Sequence, residues 1–152
     1  VLKQSVFGGG QEKGLRSGTE NVGAICAFAA ACSLINTADA ERVKEIKAFL
    51  KDGLLSLGCV LNGSETSSPY ILNMSFPKIR SEIMLNALSN AGICVSSGSA
   101  CAAGAHTSHV LEAQNAQYKD EAIRFSFSRY NTMEEAEKAL EEIARIQKGL
   151  IR

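Results

Sequence analysis

The apolar positions of this chain change period several times, and each change marks an element. Between residues 20 and 34, Val22, Ile25, Ala29 and Cys32 recur at steps of three and four, which predicts a helix. A second helix is predicted over 39–57. Val43, Ile46, Leu50, Leu54 and Leu57 fall on one face, Glu41, Lys44, Lys47 and Lys51 lie elsewhere, and Gly58 closes the helix. A helix of that pattern packs on a sheet. Residues 59–61 are a short strand candidate, and 70–76 alternate well enough for a second strand that Pro77 stops. Ser81 is placed to cap a helix over 82–91, which Gly92 ends. Residues 93–95 predict a third short strand, 96–106 a loop of small residues, 108–113 a brief helix and 122–127 a further strand. The last helix covers 133–148, with Thr132 and Glu135 spaced as a capping box. Strands that alternate with helices across long connections predict a small α+β or α/β layered domain.

The first nineteen residues follow no such pattern. A short apolar stretch over 1–7 leads into five glycines between positions 8 and 18, and glycine loses too much entropy on ordering for this to be a regular element. The composition is 45% hydrophobic and 21% charged, as in folded soluble domains, and 152 residues suffice for one core or for a small domain plus a segment of a larger one. Lys plus Arg equals Asp plus Glu at 16 each, so no net field attracts nucleic acid or an anionic membrane. No apolar run nears the roughly 20 residues that span a bilayer, and no signal-peptide layout opens the chain, so the expected location is cytoplasmic. Five irregularly spaced cysteines fit a reducing compartment, where each thiol is judged alone. The opening at Val1, in the middle of an extended-looking run, reads as a piece of a longer protein.

Three segments hold candidate chemistry. In Ser96-Ser97-Gly98-Ser99-Ala100-Cys101-Ala102-Ala103-Gly104-Ala105-His106, the thiol of Cys101 has no bulky neighbour in sequence and two glycines nearby, a setting that suits a nucleophile collecting an atom at one place and delivering it at another. An incidental cysteine in a surface loop accounts for it equally well. Cys26, Cys32, Cys59 and Cys94 fall in predicted helices or strands, where cysteine usually behaves as a small core hydrophobe. Arg16, Ser17, Gly18 and Thr19 precede a predicted helix, and N–H groups there, with a hydroxyl and a guanidinium, suit an anion such as phosphate. A tight connection with a capping threonine is the competing reading, and the Gly-Lys-Ser/Thr ending of a P-loop is missing. Arg124 sits within Ala122-Ile123-Arg124-Phe125-Ser126-Phe127; if Ile123, Phe125 and Phe127 face one way, Arg124 faces the other with Ala122 and Ser126. It can clamp a carboxylate in bidentate fashion there, or snorkel to solvent from an edge strand.

Taken together, Gly-Gly-Gly-Gln-Glu-Lys-Gly-Leu-Arg-Ser-Gly-Thr at 8–19, Ser-Ser-Gly-Ser-Ala-Cys at 96–101, Ser-His-Val-Leu at 108–111 and Ile-Arg-Phe-Ser-Phe-Ser-Arg-Tyr at 123–130 resemble, in this order, cysteine desulfurases of the NifS/IscS type. These are fold-type I enzymes of the class V aminotransferase-like group that depend on pyridoxal 5'-phosphate (PLP). The resemblance covers essentially the whole chain and corresponds to the family's C-terminal part. It implies an α+β fold, the small C-terminal domain of a fold-type I PLP-dependent transferase, with a short mixed or antiparallel sheet packed with helices. Residues 1–19 would be the tail of the PLP-binding large domain and 20–152 the small domain. By the same resemblance, Cys101 is the catalytic thiol that takes sulfur from L-cysteine as a persulfide while alanine departs. Arg124 binds the substrate α-carboxylate, and Thr19 reaches the PLP phosphate of the other subunit of a homodimer, with Arg16 and Ser17 lining the same region. The persulfide would pass to an acceptor protein, such as an iron-sulfur scaffold or a thiolation enzyme.

The family's Schiff-base lysine, its ring-stacking histidine and its pyridine-pairing aspartate belong to the N-terminal part, and Lys3 does not stand in the lysine's motif. The resemblance therefore implies that this chain alone neither binds PLP covalently nor turns over cysteine. After Cys101, Ala-Ala-Gly-Ala-His-Thr replaces a longer family stretch containing Leu-Glu-Pro, and 114–121 is more polar than the family's compact turn; both departures bear on the choice of acceptor. A selenocysteine lyase would share the chemistry, and a noncatalytic domain relaying sulfur through Cys101 is a further alternative. Cys94, Cys101, His106 and His109 lie within sixteen residues, but no Cys-x-x-Cys pair occurs and the spacing fits no common zinc module, so no metal site is expected. His106 is a candidate base for the thiol.

Overall fold

The computed structural model of the chain describes residues 3–64, 66–97 and 108–150. It divides into two compact units, Val1–Asn36 and Thr37–Arg152. In the first, the glycine-rich segment folds back on itself: Val6 and Arg16 form a bridge, the Ser17 N–H donates to the Val6 carbonyl at 3.2 Å, and a short 3-10 turn covers Glu12–Gly14. Helix α1, Val22–Ser33, follows. Its cap is Asn21, whose Oδ1 accepts from the Ala24 N–H at 3.0 Å, so Thr19 does not cap it. No residue of α1 is buried, which separates its apolar periodicity from any core among the described residues.

The second unit carries α2 (Thr37–Ser56), β1 (Val60–Asn62), β2 (Ile71–Ser75), α3 (Ser81–Asn90), α4 (His109–Ala113), β3 (Ala122–Ser126) and α5 (Met133–Leu150). The strands form one antiparallel sheet in the order β1-β2-β3, an α+β arrangement of the kind expected. Alternation sets its two faces. Leu72, Met74, Ile123 and Phe125 point into a core shared with Leu50 and Leu54 of α2, Met84 and Leu88 of α3 and Ile143 of α5. Each large side chain buried there contributes roughly 1.5–3 kcal/mol. Helices α2 and α5 approach so closely that a Cβ on Gly53 would overlap the Leu140 side chain. The opposite face of the sheet is polar, and it is the face that carries the candidate site.

Local signals end the helices as expected. Gly58 and Gly92 take φ of +82° and +77°, and the Cys59 and Ile93 N–H groups return to the Leu54 and Leu88 carbonyls at 3.1 and 2.9 Å, the Schellman pattern at both ends. The capping box also forms: the Thr132 N–H donates to Glu135 Oε2 at 3.1 Å and the Glu135 N–H to Thr132 Oγ1 at 3.3 Å.

Three expectations need correction. Ser81 is the first residue of α3 and not its cap; the N-cap position is Arg80, without a side-chain cap bond, because the Arg80 carbonyl already accepts from the Ile83 and Met84 N–H groups. Residues 93–95 do not form a strand. The Ile93 N–H is spent on the helix terminus, and the chain meets β3 only at Ser96, as a single bridge to Arg124. Of the four cysteines placed in predicted elements, only Cys59 is buried; Cys26, Cys32 and Cys94 are exposed.

Cys59 is 4% exposed, and burial pushes its thiol from about 9.0 up to about 11, opposed only by a weak hydrogen bond from Gln147 Nε2 at 3.6 Å. The raised value means that the thiol is neutral in both folded and unfolded chains below pH 9. As pH climbs from 9 towards 11 the unfolded chain ionises first, and stability is lost by something on the order of 2–3 kcal/mol. Urea unfolding of the 152-residue chain across pH 8–11 should show this loss, and Cys59→Ala should flatten it while lowering stability at pH 8.

Candidate functional site

Register brings three polar residues into one row across the polar face. Asn62 of β1 opposes Asn73 of β2, and Asn73 opposes Arg124 of β3. Beyond Arg124 lies Ser96, with the Arg124 N–H donating to the Ser96 carbonyl at 2.7 Å and the Ser96 N–H donating to the Arg124 carbonyl at 3.1 Å. A cavity of about 340 Å³ opens over the row, lined by Asn62, Asn73 and Arg124 together with Ser108, His109 and Leu111 of the α4 region. Arg124 Nε is buried there and has no hydrogen-bond partner among the described residues. A buried guanidinium donor left open is costly, and an anion entering the cavity would satisfy it. Arg124 faces away from Ile123 and Phe125 as the alternation required, and it is half-buried at the cavity with its Nε out of reach of solvent.

Behind Asn73 runs a hydrogen-bonded chain. Ser75 is fully buried, and its hydroxyl donates to the Tyr118 carbonyl at 2.8 Å. Asn62 Nδ2 donates both to Ser75 Oγ at 2.8 Å and to Asn73 Oδ1 at 2.7 Å. Neither asparagine stood out in the sequence. The signal was present in the alternation of 70–76, where Asn73 and Ser75 fall on the face opposite Leu72 and Met74, but only pairing shows that this face meets Arg124.

Cys101 and His106 lie outside the described residues. The chain leaves for that segment from Ser96 and Ser97 and resumes at Ser108, and both ends adjoin Arg124 or its cavity. In the first unit, Thr19 and Arg16 are exposed, whereas Ser17 is buried and its hydroxyl donates to the Gly9 carbonyl. The Gly18 N–H donates to Gln11 Oε1 at 3.2 Å, and Arg16 Nη1 to the Gly18 carbonyl at 3.4 Å. By donor chemistry Thr19 and Arg16 fit a phosphate as outer contacts. Ser17 is engaged internally, and a phosphate would have to displace its bond to Gly9. Among the described residues no three His, Cys, Asp or Glu side chains cluster as metal ligands, and Cys94 and His109 line different cavities.

The aminotransferase class-V family model matches residues 3–139. The chain belongs to the aminotransferase class-V family. This class-V chain is 42% identical over 144 residues to Cysteine desulfurase 2 of Trichormus variabilis, covering 90% of itself and 36% of that protein. It is 38% identical over 159 aligned residues to the putative cysteine desulfurase IscS 1 of Bacillus subtilis, with coverage of 98% and 42%. Among solved structures it superposes on a NifS-like protein with a TM-score of 0.78 at 37% identity, covering 97% of the chain and 40% of the other. A NifS-like protein from Rickettsia africae matches at 0.80 and 28% identity, with coverage of 97% and 41%. The class-V chain thus spans about two fifths of the length of the proteins it matches, and its α+β fold is that of fold-type I PLP-dependent transferases. No single helix among its described residues is long and apolar enough to cross a membrane.

Proposed function

We propose that the chain is the C-terminal part of a cysteine desulfurase, which removes sulfur from L-cysteine to give alanine and a persulfide on Cys101. The observation that carries this reading is the buried, unpartnered Arg124 Nε, with one end of the segment that holds Cys101 bridged to Arg124 at Ser96 and the other lining its cavity at Ser108. Arg124 binds the substrate α-carboxylate and so fixes which end of the amino acid enters. Chain connectivity supports the pairing: Cys101 stands five residues after Ser96, the residue bridged to Arg124.

The Cys101 thiolate attacks the substrate sulfur. A sulfur–sulfur bond forms, the substrate carbon–sulfur bond breaks with its electron pair on carbon, and a proton taken up there completes alanine. PLP, when bound, disperses the negative charge that appears on the carbon skeleton. Thr19 would contact its phosphate from the other subunit of a homodimer, with Arg16 and Ser17 on the same stretch. In this reading residues 1–19 are the tail of the PLP-binding large domain and 20–152 the small domain, in a cytoplasmic enzyme. The persulfide then passes to an acceptor protein, such as an iron-sulfur scaffold or a thiolation enzyme.

The test is the full-length protein purified with PLP and supplied with L-cysteine and a thiol reductant. Alanine and sulfide should appear in equal amounts, and alanine without sulfide, or neither, would overturn the proposal.

A further inference from the structure

The hydrogen-bonded chain behind Asn73 has a fixed polarity, because one end of it is a backbone carbonyl. The Tyr118 carbonyl can only accept, so the single Ser75 hydroxyl proton goes to it. Ser75 Oγ must then accept from Asn62, and only the NH2 end of Asn62 can supply that bond. The second proton of that NH2 group meets Asn73 at 2.7 Å, so the Asn73 atom receiving it is the carbonyl oxygen. By elimination the end of Asn73 left over is its NH2, a pure donor. Asn73 is also the cross-strand partner of Arg124 and lines the same cavity. Directly opposed side chains on one face of an antiparallel pair stand about 4.5–5.5 Å apart at Cβ, close enough to serve two oxygens of one carboxylate. The cavity lining therefore offers two neighbouring donor residues, Arg124 with its unpartnered Nε and Asn73 with its NH2, one charged and one neutral.

We infer that Asn73 is a second carboxylate-binding residue beside Arg124, with Asn62, Ser75 and the Tyr118 carbonyl as the positioning relay that keeps its NH2 turned to the substrate. The inference rests on the proposed desulfurase reading for its ligand, an α-amino carboxylate. Arg124 supplies charge, which favours the carboxylate over a neutral ester, and Asn73 supplies a directional bond that is stronger to a charged oxygen. Reversing the polarity of Asn73 is therefore more damaging than deleting it: an aspartate places negative oxygens where the substrate's own must lie.

The experiment compares full-length parent, Asn73→Asp and Asn73→Ala by calorimetric titration with S-methyl-L-cysteine, whose capped sulfur does not enter the reaction, and with its methyl ester. The parent should prefer the acid. Asn73→Asp should weaken acid binding at least tenfold and ester binding less than twofold, and Asn73→Ala should weaken the acid by a few-fold and the ester by less. A merely structural asparagine would lower both ligands together, so equal losses, or no loss of the acid, overturn the inference. A parent that does not distinguish acid from ester overturns it too. Asn73→Ala adds no charge to the sheet and keeps the test alive if Asn73→Asp does not fold. L-cysteine turnover by the parent is measured alongside: its absence counts against the desulfurase reading, while the binding comparison still decides the role of Asn73.

Discussion

Cys101→Ala in the full-length protein is expected to lower sulfide release from L-cysteine by roughly 10³-fold or more, because it removes the atom that forms the new bond rather than one that assists it. Cys101→Ser should be as inactive, since a hydroxyl of similar size is a poor nucleophile towards sulfur. Within Thr37–Arg152, neither of the other two thiols lines the Arg124 cavity. Cys59 is 4% exposed and held neutral to about pH 11, Cys26 and Cys32 lie on α1, and Cys94 lines a cavity apart from that of Arg124. Cys94→Ala is the control and should retain parental turnover. Mass spectrometry of the parent after brief exposure to substrate should find one added sulfur on the peptide containing Cys101. Parental turnover by Cys101→Ala would sink the proposed mechanism.

Arg124→Leu should have the second largest effect, a fall in kcat/KM of roughly 10²–10³-fold borne mainly by KM. The loss corresponds to about 2–5 kcal/mol for removing one partner of a desolvated charge pair. Arg124→Lys should recover only part of it, because an ammonium lacks the planar fork that meets two carboxylate oxygens at once. Stability should move the other way. Arg124 Nε is already a buried donor without a partner, so removing it costs the fold no hydrogen bond and relieves a desolvated group. The thermal midpoint of Arg124→Leu is therefore expected at or above that of the parent, the opposition of stability and activity common at binding sites. A midpoint several degrees lower, with turnover unchanged, would make Arg124 a structural residue.

The elements with strong local signals were legible. The recurrence of Val43, Ile46, Leu50 and Leu54 along α2, the glycines that terminate α2 and α3, and the reciprocal bonds of Thr132 and Glu135 depend on neighbours within a few residues. Where the outcome depended on a distant partner, the pattern misled. Residues 93–95 have strand composition, yet a strand needs a ladder, and only Ser96 finds one. Cys94 shares that apolar run and is exposed, while Ile93 and Val95 pack on the core, because alternation without a partner strand still turns every second side chain outward. Helix α1 shows the same limit. Its period announced a helix and could not say what, if anything, its apolar face meets.

For the site, the residue types were readable and their arrangement was not. Sequence alone determined that Arg124 lies in an apolar strand facing away from Ile123 and Phe125, since alternation along a strand is a property of the backbone itself. It also determined that the sequence neighbours of Cys101 are all small. Only the tertiary structure decided that Arg124 meets Asn73, that Asn62 and Ser75 stand behind it, that Ser96 bridges Arg124 and that Ser108 lines its cavity. The physical reason is register: a shift of one residue between β2 and β3 would set Leu72 or Met74 opposite Arg124, and nothing local to either strand forbids it. The shift is excluded by the cost of turning Leu72 and Met74 out of a core that α2, α3 and α5, all outside the two strands, complete.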